Sequence, residues 1–311
     1  MALAGGVGGA KLAQGLTLAA QPDKLTVVVN TADDFDLYGL RICPDLDTVL
    51  YTLGGIADPV QGWGVANDTT RTLEALAAYG EDPWFKLGDR DFATHILRTT
   101  RLRMGESLSS VMAGLARSLG IASHILPMSD SPVATIVQTA TGELEFQEYF
   151  VARRQQDEVT GFRFTGIDQA KPAPGVLEAI REAQVIVLCP SNPFVSVGPI
   201  LEIDAIGMAI EDADAPIVAI SPIVGGSAIK GPAARMLASL GHEVSALGVA
   251  RLYAGRCDGF VIDRQDAHLA KDIEDLGMSV LVTDTIMGGP EDRARLAAET
   301  LAFASPDLVA R

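Results

Sequence analysis

Five aspartates, Asp33, Asp34, Asp36, Asp45 and Asp47, fall within fifteen residues of the stretch NTADDFDLYGLRICPDLDT, and no glutamate precedes position 74. Short carboxylates gathered in this way suit a hard cation such as Mg²⁺, which takes one or two carboxylates together with the oxygens of a substrate phosphate. Singly they have a plainer use: aspartate is a turn and N-cap residue, and Asp45 or Asp47 would cap a helix that the pattern starts near Thr48. A second reactive stretch opens the chain. In MALAGGVGGAKLAQGL, Gly5, Gly6, Gly8 and Gly9 follow a short strand, about Ala2 to Ala4, and precede a helix from about Ala10. Glycines free to take positive φ, backed by the amides of a helix start, favour a phosphate, and Lys11 adds a cation. The spacing is neither of the two common phosphate motifs. A G-x-G-x-x-G read from Gly6 ends on Lys11, and a Walker loop would need its lysine where Ala10 stands. An ordinary strand-to-helix turn remains the alternative.

Two further loops offer hydroxyls and free amides. SNPFVSVGPIL brings Ser191 and Asn192, and IVGGSAIKGPAAR brings Gly225, Gly226 and Lys230. Each suits an anion or a purine edge, and each also reads as a turn stiffened by proline. The segment FKLGDRD packs Lys86, Asp89, Arg90 and Asp91 together, either as a solvated charge run or as a substrate-facing turn. His95, His124, His242 and His268 show no metal-like or triad-like spacing, and no G-x-S-x-G elbow occurs, so nucleophilic serine chemistry has no support.

These groups need elements to hold them. Apolar runs of strand length, LTVVVN, QVIVLCP, PIVAISP, GFVID and MSVLVTD, alternate with helical patterns, as parallel strands buried on both faces do. The fold class is therefore α/β, a Rossmann-like, doubly wound, mainly parallel sheet, and in such sheets ligands sit at the carboxyl ends of the strands. The sequence predicts a single compound domain over 1–311, with a core of about 1–58 and 121–311 and a helical insertion of about 59–120. VATIVQTATGELEFQEYFV predicts a β-hairpin turning at Thr141-Gly142.

Composition narrows the partners. A net charge of −16 repels nucleic acid and anionic membrane surfaces, so a phosphorylated ligand needs a local site of amides, a few cations or a metal. Cys43, Cys189 and Cys257 are too few for a disulfide framework and read as reduced and buried. The opening residues lack the pattern of a signal peptide, which makes a cytoplasmic protein the expectation.

Taken together, AGGVGGAK, VVNTADDFDLYGLRICPDLDTVLY, NDT, KLGDRD, ILPMSDSPV, PSNPFVSVGPIL and SPIVGG resemble the 2-phospho-L-lactate transferase family of coenzyme F420 biosynthesis, in order from Leu3 to about Leu252. The resemblance implies transfer of a phospho-acid from a guanosine diphosphate-activated donor to the ribityl hydroxyl of the deazaflavin Fo, with release of GMP and a requirement for Mg²⁺. It implies nucleotide and phosphate contacts from Gly6, Gly8, Gly9, Lys11, Asn30, Ser191, Asn192, Gly225 and Gly226. Deazaflavin contacts fall on Asp47, Lys86 and Arg90, metal ligands on Asp33, Asp34 and Asp45, and the general base on Asp47 or Asp34. A homodimer is also expected. The glycine loop reads GGVGGAK, as in bacterial members, where archaeal ones tend to GGTGTPK, and phospholactate, phosphoenolpyruvate and 3-phosphoglycerate all stay open as the acid. A non-catalytic nucleotide-binding regulator, as in a related glycine-loop family acting in cell-shape control, is the alternative, and a dehydrogenase a third. PDLDT and KLGDRD favour the transferase.

Overall fold

A computed structural model describes residues 1–304; the last part of the expected core, 305–311, lies outside the described residues. Seven strands form the central sheet: β1 (Ala2–Ala4), β2 (Thr26–Val29), β3 (His124–Pro127), β4 (Ile186–Leu188), β5 (Ile217–Ile220), β6 (Gly259–Asp263) and β7 (Ser279–Thr283). Their order is β7-β6-β5-β4-β1-β2-β3, and every pairing is parallel. The chain winds outward from β1 in one direction and then, from β4, in the other. The place where the direction reverses lies between the carboxyl ends of β1 and β4, where a doubly wound sheet leaves a crevice.

The alternation within each strand explains the two-sided burial. Val27 and Val29 of β2 enter one core with Ala4, Val187 and Val218, whereas Val28 enters the other with Leu3, Leu188 and Ala219. The first core is roofed by helices α1 (Gly6–Ala19), α2 (Pro44–Leu53) and Leu108–Ser118, and by the last described helix, Pro290–Ala304. A continuous β-branched run with no polar face is what such a strand requires.

Three elements differ from the sequence expectation. Helix α1 begins at Gly6, a turn earlier than Ala10, so Gly8 and Gly9 lie inside it and only Gly6 of the four glycines has positive φ, at 60°. Gly8 is instead a packing requirement: a Cβ there would lie 2.2 Å from the carbonyl oxygen of Pro190 in the loop after β4. Helix α2 begins at Pro44 with Cys43 at its N-cap, so neither Asp45 nor Asp47 caps it. Pro at N1 sets the helical φ, and both aspartates then fall in the first turn, where the helix dipole favours them. The hairpin Ala134–Thr139 with Gly142–Glu145 gains a third antiparallel strand, Val159–Thr165.

The span 59–120 holds helices Arg71–Ala78, Asp89–Arg103 and Leu108–Ser118. The first two cap one another. Asp68 accepts the amide hydrogens of Arg90 and Asp91, while Asp89 accepts those of Arg71 and Thr72 and the hydroxyl of Thr69. Those bonds hold the Asp89 carboxyl down to about 2. The density of charge in KLGDRD is thus largely reciprocal helix capping. A satellite core of Phe35, Ile42, Leu73, Leu87 and Phe92 joins these helices to the small hairpin Phe35–Leu37 and Leu40–Ile42.

Candidate active site

A cleft of about 700 Å³ opens at the carboxyl ends of β1 and β4, where the winding reverses. Its floor is the glycine loop: Gly5, Gly6, Val7 and Gly8 line it, with Ser191 and Asn192 opposite. Ser191 ties the two strand ends together, accepting from the Gly5 amide at 3.2 Å and donating to the Gly5 carbonyl at 2.8 Å. Asn192 caps the turn Pro193–Val197 through its side-chain oxygen, which accepts from the Phe194 and Val195 amides. The first amides of a helix have no intrahelical acceptor, so the first turn of α1 presents donors to the cleft.

One of those donors is already used. The Gly6 amide donates to Asp45 at 2.7 Å, and Asn30, at the end of β2, donates to both Asp45 and Asp33, at 3.0 and 3.1 Å. Asp33 also accepts from the Thr135 hydroxyl at 2.9 Å. Asp33 and Asp45 both line the cleft, and among the described residues neither forms an ion pair. Burial raises Asp33 well above the usual carboxylate range, and the charge of Asp45 pushes it further. Burial raises Asp45 to about 6, against the bonds from Asn30 and Gly6 that favour its charged form. Two buried carboxylates sharing an amide donor and lacking a cation have the electrostatics a divalent ion relieves. The donor set fits Mg²⁺ through Asp33 and Asp45.

Asp34 does not join them. It is buried but absent from the cleft lining, and among the described residues its two oxygens lack a nitrogen or oxygen partner. Burial raises it to about 7, offset in part by Arg41, the Cys43 thiol and Arg98. The adjacency of Asp33 and Asp34 in sequence sends their side chains to different places.

Asp47 does line the cleft, but it is bound to a partner that sequence spacing concealed. Arg98, fully buried on helix Asp89–Arg103, donates from both terminal nitrogens to the two oxygens of Asp47, one of them at 3.1 Å. His95, one turn earlier and 1% exposed, lies 3.6 Å from Asp47 and 3.2 Å from Asp91, which accepts the Tyr51 hydroxyl at 2.6 Å. Burial opposes the charge on Asp91, yet His95 and Tyr51 hold its carboxyl below the usual value. A lone histidine 48 positions from Asp47 carries no signal in sequence; helix α2 and helix Asp89–Arg103 meet only in the fold.

The opposite wall of the cleft is aromatic: Trp63, Trp84, Phe85, Phe146 and Phe150 line it, with Ile42 and Leu87. Phe85 and Trp84 meet edge-on at 5.6 Å, the Lys86 ammonium lies 5.6 Å from the Trp63 ring, and Phe146 and Phe150 are stacked. A flat, apolar ring system fits between such faces. Lys86 also donates to the Gln61 side chain at 2.9 Å, and Lys230 to the Gln61 carbonyl at 2.7 Å.

Of the residues expected at the site, Gly6, Gly8, Asp33, Asp45, Asp47, Lys86, Ser191 and Asn192 line the cleft. Asn30 lies beneath it as the donor shared by the carboxylates. Gly9 packs against Ala4 and Ser191. Lys11 turns away to the Met287 carbonyl at 3.0 Å, Arg90 to the Ala66 carbonyl at 3.2 Å, and Gly225 donates to Asp266 at 3.0 Å beside Gly226 in a tight turn, so none of these four reaches the lining. All three cysteines are free and buried. Among the described residues no single helix is long and apolar enough to cross a membrane.

Residues 1–290 match the family model described as 2-phospho-L-lactate transferase CofD. The chain is 46% identical over 308 residues to a phosphoenolpyruvate transferase of Streptomyces griseus, covering 97% of each chain. It is 40% identical over 293 residues to a 2-phospho-L-lactate transferase of Methanosarcina mazei, covering 94% of this chain and 96% of that one. A solved member of the UPF0052 family from Bacillus halodurans aligns with a TM-score of 0.63 over 96% of this chain and 97% of its own, at 16% identity, which speaks to the fold alone.

Proposed function

The chain belongs to the 2-phospho-L-lactate transferase CofD family, and from that premise we propose that it transfers an enolpyruvyl phosphate from a guanosine diphosphate-linked donor to the ribityl hydroxyl of the deazaflavin Fo in F420 biosynthesis. The observation that carries the reading is the joining, in one cleft, of a glycine-loop helix start, an unneutralised carboxylate pair and an aromatic wall. Phosphoenolpyruvate is favoured over phospholactate and 3-phosphoglycerate because relatives named for it reach 46% identity, against 40% for those named for phospholactate.

In this reading the first amides of α1, with Ser191 and Asn192, hold the donor diphosphate. Asp33 and Asp45 would hold Mg²⁺, which would supply neutralisation of charge on the phosphate oxygens. Trp63, Trp84 and Phe85 sandwich the deazaflavin, and Lys86 fixes its polar edge. The acceptor oxygen bonds to the acid-bearing phosphorus, the bridging P–O bond breaks with its electron pair leaving on GMP, and the hydroxyl proton passes to solvent water. A loose phosphoryl-transfer transition state asks more of positioning than of a strong base. That suits a site in which Asp47 is clamped by Arg98 and Asp34 lies off the lining, so Asp47 is assigned to positioning the acceptor wall.

The test is to incubate the purified protein with Fo, Mg²⁺ and either the enolpyruvyl or the lactyl guanosine diphosphate donor, reading the deazaflavin product by mass and GMP by chromatography. Product from the enolpyruvyl donor is expected to dominate. Preference for the lactyl donor would overturn the choice of acid, and no GMP release with either would overturn the transferase reading.

A further inference from the structure

Three cations of a chain with sixteen more acidic than basic side chains, Lys11, Lys230 and Arg293, stand around α1 beside the cleft. Lys11 and Gln14 lie one turn apart on α1, and Val7 stands a turn before Lys11 on the same side. Lys11 donates to the Met287 carbonyl at 3.0 Å, just before helix Pro290–Ala304, and Arg293 of that helix donates to the Gln14 side-chain oxygen. On the other flank a Cβ on Gly62 would lie 2.7 Å from a Val7 methyl and 3.5 Å from the Lys230 ammonium, so Lys230 meets α1 at Val7.

Each cation rests on a neutral oxygen: Met287 and Gln61 backbone carbonyls for Lys11 and Lys230, the Gln14 amide for Arg293. None of the three has a carboxylate within ion-pair distance among the described residues. The Nε of Arg293 is buried with no acceptor among the described residues. Burial and the charges of Arg293 and Lys230 lower the Lys11 pKa, the mark of like charges held together without a counterion. Like charges converge at a cost, and the cost is recovered when an anion binds among them.

We infer that Lys11, Lys230 and Arg293 form an anion subsite at the rim of the cleft, built for a phosphoryl or carboxylate group. Lys230 lines the cleft, whereas Lys11 and Arg293 are off its lining on the Met287 and Gln14 side of α1, so the anion sits outside the glycine-loop floor. Two sources share this chemistry: a free phosphate species, or an anionic group of a guanosine nucleotide extending from the cleft past Val7. The assignment stands apart from the identity of the acceptor and of the transferred acid.

The experiment is calorimetric titration of the whole protein with inorganic pyrophosphate in EDTA, which silences the Asp33 and Asp45 pair. The Lys11→Gln and Arg293→Gln variants are expected to bind it about tenfold more weakly or worse, the scale of one charge-assisted hydrogen bond. Arg293→Lys, which keeps the charge, should recover most of the affinity, and thermal melting of each variant separates lost binding from lost folding. Pyrophosphate that competes with GDP identifies the nucleotide as the source, and additive binding identifies a free phosphate species. Failure of the wild type to bind pyrophosphate, or equal affinity in Arg293→Gln and Arg293→Lys, would overturn the subsite. Transferase assays play no part in the readout, so loss of the functional reading leaves this test intact.

Discussion

Asp47→Asn separates a helix-capping aspartate from a structural ion pair by magnitude alone. If Asp47 capped α2, asparagine would replace it at well under ~1 kcal/mol, because the two residues cap equally well. The structure places Cys43 at the cap and joins both oxygens of Asp47 to Arg98, whose side chain is 0% exposed. Removing one partner of a buried pair leaves an uncompensated charge and costs roughly 3–5 kcal/mol. Asparagine keeps one acceptor, and the charge that Asp47 exerts on Asp34 would vanish with it, easing ionisation of Asp34 as a substitute counterion for Arg98. We therefore expect the lower end, about 3 kcal/mol, which for a chain of this size lowers the melting temperature by about 5 °C. Melting by circular dichroism in EDTA, on Asp47→Asn, Arg98→Met and the double variant, measures both the loss and the coupling. The double variant should be less damaged than the sum of the singles by more than about 1 kcal/mol. A melting temperature within about 1 °C of wild type, or additive losses, would refute the ion-pair account.

Other outcomes follow from the same geometry. Asp34 is raised to about 7 from 3.8, so its protonated form is the one folding prefers; that stability is complete below the unfolded value and is lost as pH rises through 7. Asp34→Asn should match wild type near pH 4 and exceed it at pH 8 by at most about 4 kcal/mol, and parallel stability curves would refute this. Transfer should cease with chelator and return with Mg²⁺, and Mg²⁺ should raise the melting temperature of wild type but not of Asp45→Asn; full turnover in excess EDTA would remove the metal. Gly8→Ala drives a Cβ to 2.2 Å from the Pro190 carbonyl and should cost about 1–3 kcal/mol with at least tenfold weaker GDP binding, whereas Gly289→Ala, with open space around it, should be silent in both assays. Both tryptophans, Trp63 and Trp84, line the cleft, so Fo should quench most of the intrinsic fluorescence, and an unchanged spectrum would move the acceptor elsewhere.

Local sequence was enough for the features that depend on neighbours in the chain. Uninterrupted β-branched runs such as LTVVVN bury both faces wherever they lie, so the parallel sheet and the edge that carries the cleft were legible, as were the glycine loop, the aspartate cluster and the loop at Ser191 and Asn192. Pairings across long separations were not. Arg98 reads as one more cation on an amphipathic helix until α2 is laid beside it, and His95 has no partner until Asp47 and Asp91 converge on it. Gly8 looked like a phosphate-loop glycine, but the need for it is set by the Pro190 carbonyl 182 positions away. Asp33 and Asp34, identical and adjacent, were divided by strand-end geometry into a cleft-lining carboxylate and a buried group outside the lining. Composition and period determine which residues are buried and which strands form, because those depend on local hydrophobicity. Which charges meet depends on how distant elements pack, and only the tertiary structure decided that.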